Sequence, residues 1–301
     1  MTYRRCALAL LVAAALLTAV VAARQVRQAG ELSCDRTCLR ALLTQYLDAM
    51  LAHTPDRLPL AAGVRFTEDT VERRLGEGLW RTVSRLRPYR QDIIDVRAGV
   101  AGTHTVVEEN GPPVLFLVRL KVSDRKLAEV ETMVVRSREE GVIFQPDAFT
   151  QASAAMNVAP AAAQRNTRAE AIRIAQLYPA GLRAGSFVTV DTPFAPDAYR
   201  FENGRLMAGP GCTFRPDCTD IKTQKIPTLK EVTSRVAAVD EELGIVWLRM
   251  DFGAGSVPDT TKSLTVWEAF KVYGGQIHAV EAFMEVMPRG SSSGWDGRGV
   301  S

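Results

Sequence analysis

The stretch Thr265-Val266-Trp267-Glu268-Ala269-Phe270-Lys271-Val272-Tyr273-Gly274-Gly275-Gln276-Ile277-His278-Ala279-Val280-Glu281-Ala282-Phe283-Met284 decides the fold. Two runs rich in strand-forming residues flank a Gly-Gly pair, and a two-residue hairpin turn needs positive φ, which glycine adopts without steric cost. The same pattern occurs 150 positions earlier. Leu120-Lys121-Val122 stands against Phe270-Lys271-Val272, and Lys126-Leu127-Ala128-Glu129-Val130-Glu131 against Gln276-Ile277-His278-Ala279-Val280-Glu281. The chain therefore reads as two copies of one unit. A length of 301 residues agrees with about two domains.

Outward from the hairpins, each unit has a helix followed by strands. Leu39, Leu42, Leu43, Tyr46, Leu47, Met50 and Leu51 recur at three- and four-residue steps, which puts them on one side of a helix that Pro55 ends. A short strand is expected at 64–66, a short helix within 75–86, and strands at 93–100, 103–107, 114–122 and 127–135. Residues 150–166 are alanine-rich and aperiodic, the composition of a linker. Thr167-Arg168-Ala169-Glu170 then opens the second helix with a capping-box pattern, and strands are expected at 232–239, 245–252, 264–272 and 276–286. The resulting division is 34–150 for the first domain, 151–166 for the linker, 167–288 for the second domain and 289–301 for a loose polar tail. Helices packed on a run of antiparallel strands make the class α+β.

Residues 1–23 stand apart. Arg4 and Arg5 precede an apolar run, and Val21-Ala22-Ala23 offers the small residues of a cleavage site, so a signal peptide is expected and with it a secreted or periplasmic destination. An uncleaved N-terminal anchor is the alternative, because the run approaches the ~20 residues that span a bilayer. No integral membrane segment is expected after removal of the leader. Four cysteines then remain, Cys34, Cys38, Cys212 and Cys218. Local pairing within each couple is the simplest of the three connectivities, and a metal site would need all four thiolates to converge from separate units without a nearby histidine. No metal and no cofactor is expected.

The formal charge of +3, with no basic stripe interleaved with aromatics, argues against nucleic acid as a partner. Only His53, His104 and His278 occur, without a Gly-x-Ser-x-Gly motif, which argues against a triad hydrolase.

Tyr46-Leu47-Asp48-Ala49-Met50-Leu51 with Val64-Arg65-Phe66-Thr67-Glu68, and Tyr178 with Tyr199-Arg200-Phe201-Glu202-Asn203, resemble the opening of SnoaL-like and ketosteroid-isomerase-like domains of the nuclear transport factor 2-like superfamily. Cys34-Asp35-Arg36-Thr37-Cys38, Gly78-Leu79-Trp80, Val107-Glu108-Glu109-Asn110-Gly111 and Ser293-Gly294-Trp295 resemble a secreted family with two such domains in tandem and no assigned reaction. The resemblance spans nearly all of 34–295. It implies two cone-shaped domains, each with N-terminal helices on a curved antiparallel sheet. It also implies a carboxylate base just after the first short strand, a position that Glu68 occupies and that Asn203 is expected to fill in the second unit.

The hairpin supplies further candidates. A regular ladder through Gly274-Gly275 would oppose Lys271 to His278 and Glu268 to Glu281, on opposite faces of the sheet. Glu131 repeats Glu281 while Val118 stands in place of Glu268, so the shared acidic position favours the carboxylate face as the inner one. Glu68, Glu268, Glu281 and Glu131 are the catalytic candidates. Trp247, Arg249, His278 and Asn203 are the ligand-binding candidates. Together they suggest an exported small-molecule enzyme of lyase, isomerase or hydratase type, working by carboxylate acid–base chemistry on a small apolar or polyfunctional organic molecule. The alternative is a non-catalytic module that binds an apolar ligand or a protein partner. A homodimer is left open.

Overall fold

The computed structural model describes residues 34–291 and Trp295, so the leader expected over 1–23 lies outside the described residues. Two six-stranded mixed sheets of identical strand order make up the molecule. In the first half, α1 (Arg36–Leu51) precedes β1 (Leu60–Glu68), β2 (Val71–Arg73), β3 (Val83–Asp95), β4 (Val100–Glu109), β5 (Pro113–Ser123) and β6 (Lys126–Val135). In the second, α2 (Arg168–Ala184) precedes β7 (Phe194–Glu202), β8 (Arg205–Ala208), β9 (Thr233–Asp240), β10 (Ile245–Asp251), β11 (Lys262–Tyr273) and β12 (Gln276–Pro288). The spatial orders are β2-β1-β6-β5-β4-β3 and β8-β7-β12-β11-β10-β9. Neither sheet is purely antiparallel as expected. The first strand of each half joins the last one in parallel, because the long meander between them brings β6 and β12 back in the same direction.

Local chemistry sets the helix ends. Asp35 accepts a hydrogen bond from the Cys38 amide at 2.8 Å, and Thr167 accepts one from the Glu170 amide at 3.3 Å, each satisfying a free backbone donor of a first turn. Gly185 closes α2 at φ 70°, in the left-handed region that suits glycine. The expected helix within 75–86 is a single 3-10 turn, Gly78–Arg81, after which β3 begins. Disulfides join Cys34 to Cys38 and Cys212 to Cys218, bonds that fit an oxidising environment. Among the described residues no helix is long and apolar enough to cross a membrane.

Each helix lies on one face of its own sheet. Leu39, Leu43, Tyr46, Leu47 and Met50 share a core with Phe116, Val118, Leu120 and Val130, while Ile174, Ala175, Tyr178 and Leu182 share another with Val266, Phe270, Val280 and Ala282. The opposite faces of the two sheets pack on each other through a third core, which includes Tyr89, Leu117 and Met133 from one half and Trp247, Trp267 and Phe283 from the other. The layers therefore run helix, sheet, sheet, helix. At this seam a Cβ on Gly102 would lie 2.3 Å from the Trp247 ring, so the missing side chain is what lets the indole in.

Among the described residues, two ion pairs on fully buried aspartates clasp the halves in a pseudo-twofold arrangement. Arg36, the first residue of α1, donates to both carboxylate oxygens of Asp240 at 2.8 and 2.9 Å; Arg168, the first residue of α2, does the same to Asp95 at 3.1 and 2.7 Å. Each aspartate ends the edge strand of the other half. The segment expected as a loose linker is held too: the buried Lys271 ammonium donates to the carbonyls of Met156, Val158 and Leu243. Nor is the tail loose at Trp295, which is fully buried, donates from its indole N–H to Thr67 Oγ1 at 2.9 Å and lies 4.4 Å from the Arg65 guanidinium.

Candidate functional site

The closing hairpins carry a feature that strand periodicity hides. Lys271 opposes Ala279 and Val272 opposes Ile277, leaving His278 as an extra residue; in the first half Lys121 opposes Glu129 and Val122 opposes Leu127, leaving Ala128. The repeat thus includes a β-bulge at the same place in both copies. One extra residue flips every side chain beyond it to the other face. The expected pairs of Lys271 with His278 and Glu268 with Glu281 are therefore absent. Glu268 opposes Ala282 on the helix side, and Glu281 opposes Ala269 on the seam side.

The predicted residues consequently scatter over three environments. On the helix side of the second sheet, Glu268 is 1% exposed and its carboxyl is held well above the usual carboxylate range by burial and by neighbouring Glu202. Arg200, ion-paired to Glu202 at 2.7 Å, also donates to Tyr178 Oη at 3.2 Å and to Gln224 at 3.0 Å. In the first half, Glu68 accepts from the Leu79 amide at 2.9 Å, and the 3-10 turn lies so close that a Cβ on Gly78 would sit 2.1 Å from the carboxylate. Burial raises its pKa as well.

Asn203 is not the counterpart of Glu68. Register places Glu68 opposite Thr132 and Glu202 opposite Ala282, so the second half keeps a carboxylate at that position. Asn203 instead matches Asp69: both have positive φ, and both accept through a side-chain oxygen from the second amide along, Met284 at 2.9 Å and Val134 at 2.8 Å. The Asn203 amide nitrogen bonds only backbone carbonyls, those of Gly141, Ile143 and Met284. It fixes a bend in the chain. His278 lies flat on Tyr273 with ring centroids 3.5 Å apart, and burial lowers its pKa. Trp247 is fully buried, 4.6 Å from Trp267, and donates to His104 Nε2 at 3.0 Å, so it is core and not a cavity wall.

At the seam the repeated acidic position diverges. Glu131 receives Arg235 Nη2 at 2.7 and 2.8 Å and has Arg119 3.9 Å away, and it is thereby engaged across the two sheets; burial nonetheless pushes its pKa up. Among the described residues Glu281 makes no ion pair. It accepts from Tyr199 Oη at 2.9 Å, Tyr199 in turn lies 2.8 Å from Ser153 Oγ, and burial raises the Glu281 pKa to about 7. A cavity of about 330 Å³ opens on this carboxyl, walled by Tyr89, Phe149, Gln151, Ser153, Tyr199 and Phe201. Tyr89 and Phe149 pack at 4.5 Å, and the buried Tyr89 hydroxyl lacks a hydrogen-bond partner among the described residues. Burial and the nearby Glu281 raise the pKa of Tyr89, which keeps its proton on.

Of the residues lining this cavity, Glu281 alone was a candidate from the sequence. Tyr89, Tyr199 and Ser153 escaped, although Tyr199 belongs to a stretch that carries the family resemblance and Ser153 to the expected linker. A linker that folds back over a sheet has no periodicity to announce its contacts.

A family model described as a domain of unknown function (DUF8021) matches residues 164–284. No curated protein matches the chain. Among solved structures the chain is similar to a de novo designed protein with a curved β-sheet, at 18% identity and a TM-score of 0.28, over 33% of this chain and 87% of that one. It is also similar to SalBIII, an epoxide hydrolase/cyclase-like enzyme in pyran ring formation in the polyether salinomycin, at 12% identity and a TM-score of 0.27, over 40% of this chain and 96% of that one.

Proposed function

We propose that the cavity at Glu281 is the active site of a small-molecule enzyme of isomerase, lyase or hydratase type, with Glu281 as the proton-transferring group. We further read each half as a SnoaL-like unit, on the strength of the sequence motifs and the repeated strand order. The observation that carries the functional reading is the contrast between the two repeated carboxyls. Glu131 is locked to Arg235, whereas Glu281 has a tyrosine for its partner and a cavity in front of it. A carboxyl with a pKa of about 7 is divided between acid and base forms at neutral pH, which is where proton transfer to and from carbon is most efficient.

The chemistry that fits is proton abstraction next to a carbonyl. Glu281 takes a proton from the carbon, the C–H electron pair moves toward the carbonyl oxygen, and the Tyr89 hydroxyl donates a hydrogen bond to the oxyanion that develops. Return of the proton from Glu281 to a different carbon completes an isomerisation, and loss of a leaving group from the neighbouring carbon gives an elimination. Tyr199 orients the carboxyl and is itself held by Ser153. The aromatic walls select a largely apolar substrate, and the volume is at the small end of the range for ligand pockets.

Incubating the protein in D2O with one- and two-ring aryl ketones, and following the α-protons by NMR, tests this reading. Exchange is expected to rise with an apparent pKa near 7 and to fall by about 10²–10⁴ in Glu281→Gln. Exchange that persists unchanged in Glu281→Gln would overturn it, and binding without exchange would make the cavity a receptor site.

A further inference from the structure

We propose that Arg235 and Arg249 form the floor of a second binding site, separate from the Glu281 cavity, for a small hydrophilic organic anion such as a hydroxy acid or a sugar acid. The two residues are direct partners on adjacent antiparallel strands, β9 and β10, so their side chains share the seam face of the sheet. Like charges in directly opposed positions repel. Among the described residues Glu131 is a carboxylate that both cations share, together with Arg119. Glu131 answers Arg235 through Nη2 alone, Arg119 competes for the same carboxylate from 3.9 Å, and Arg119 is also bound to Glu129 at 3.0 Å.

Both arginines are more than nine-tenths buried, at 8% and 6% exposure. Among the described residues, Nε and Nη1 of Arg235 and Nη2 of Arg249 have no hydrogen-bond partner. Buried N–H groups of a cation that bond to nothing are costly, and such groups are ordinarily satisfied by protein, water or ligand. The side chains that carry them border open space. Both arginines line a cavity of about 570 Å³ together with Glu231, Thr233, Ser234, Asp251, Arg289 and Ser291.

The character of the wall narrows the ligand. Arg289 is occupied by Glu231, with both oxygens at 2.9 Å, and Asp251 accepts from the Gly253 amide at 2.8 Å, so the two inner arginines are the donors left over. The lining has hydroxyls and carboxylates at its rim and no aliphatic or aromatic side chain. An oxyanion on the arginine floor, carrying hydroxyl groups that meet Thr233, Ser291 and Asp251, matches both features. The volume exceeds what an inorganic oxyanion fills and lies within the ordinary range for organic ligands. Arg235 is further fixed by the face of Trp267, 5.5 Å from its guanidinium carbon, which holds one donor fork in place before any ligand arrives.

Titration calorimetry of the full oxidised chain with glucuronate, citrate and inorganic phosphate, at constant ionic strength, tests the site. Glucuronate or citrate is expected to bind, with affinity at least about tenfold weaker in Arg249→Met because a charge-assisted pair is lost. Thermal melting of unliganded Arg249→Met is expected to match or exceed the unsubstituted protein, since an opposed like charge is gone; Arg249→Lys, which keeps the charge and loses the fork, serves should Arg249→Met fail to fold. Absence of binding by both organic anions at millimolar concentration overturns the proposal, as does binding undiminished in the variants. Binding of phosphate alone overturns the organic-anion assignment.

Discussion

Arg168 donates to both carboxylate oxygens of Asp95, at 3.1 and 2.7 Å, and so ties the first turn of the second helix to the end of the first half's edge strand. Asp95 is fully buried and also accepts from the amides of Ala98 and Val239 at 2.9 and 2.8 Å. Removing one member of a buried pair leaves the other charge uncompensated, at a cost of about 3–5 kcal/mol. Arg168→Met is expected at the lower end of that range, because the two amides remain with Asp95. Urea unfolding measures it, and a loss under about 1 kcal/mol would show that the clasp contributes little.

Stability is expected to fall as pH rises from about 4.5 to 7. The Glu281 carboxyl has a folded-state pKa of about 7 against 4.5 for the free group, because burial disfavours its charged form. The folded state therefore binds more protons than the unfolded one within that window, and stabilisation present below pH 4.5 is lost by pH 7. For Glu281 alone the loss is on the order of 3 kcal/mol. Burial together with a neighbouring carboxylate, Glu68 beside Asp69 and Asp69 beside Glu285, pushes these two carboxyls up as well, adding to the same slope. Denaturant midpoints across the window, in the unsubstituted protein and Glu281→Gln, should lie close together at the acid end, where the carboxyl is neutral like the amide, and diverge toward neutrality, with the glutamine variant the more stable.

Glu268→Gln separates the two carboxyls of the hairpin. Glu268 faces the helix side, where Glu202 and Arg200 surround it, and it is not among the residues lining the Glu281 cavity. Proton exchange is expected to be unaffected, and the melting temperature at pH 8 is expected to rise because a buried acid with a raised pKa is replaced by a neutral amide. Loss of exchange in Glu268→Gln with the fold intact would move the active site to the other face of the sheet.

Gly102→Ala is expected to destabilise by roughly 1–3 kcal/mol, since the added methyl would meet the Trp247 ring at 2.3 Å and the seam must shift. A change in the tryptophan fluorescence maximum should accompany the lowered melting point. A neutral effect on both would mean that the sheets separate easily.

The sequence by itself determined the repeat and the hairpins. Gly274 and Gly275 both adopt positive φ, and the strands β9 to β12 fall within a few residues of where alternation and turn residues put them. The helix start at Arg168 was equally legible, because a capping side chain acts within one turn. Tertiary structure decided where the chemistry sits. A single extra residue in each copy, Ala128 and His278, separates Glu268 from Glu281, and an interior bulge has no compositional mark once a chain alternates irregularly. Asn203 aligned with Glu68 by its neighbours, yet the ladder pairs it with the turn at Asp69. Nor could local pattern tell Glu131 from Glu281. They repeat at one register, and only the packing of the opposite sheet brings Arg235 to the first and leaves the second beside Tyr199 and a cavity. Periodicity reports which residues share a face of one element, whereas ionisation and access depend on what another element, distant in the chain, presents to that face.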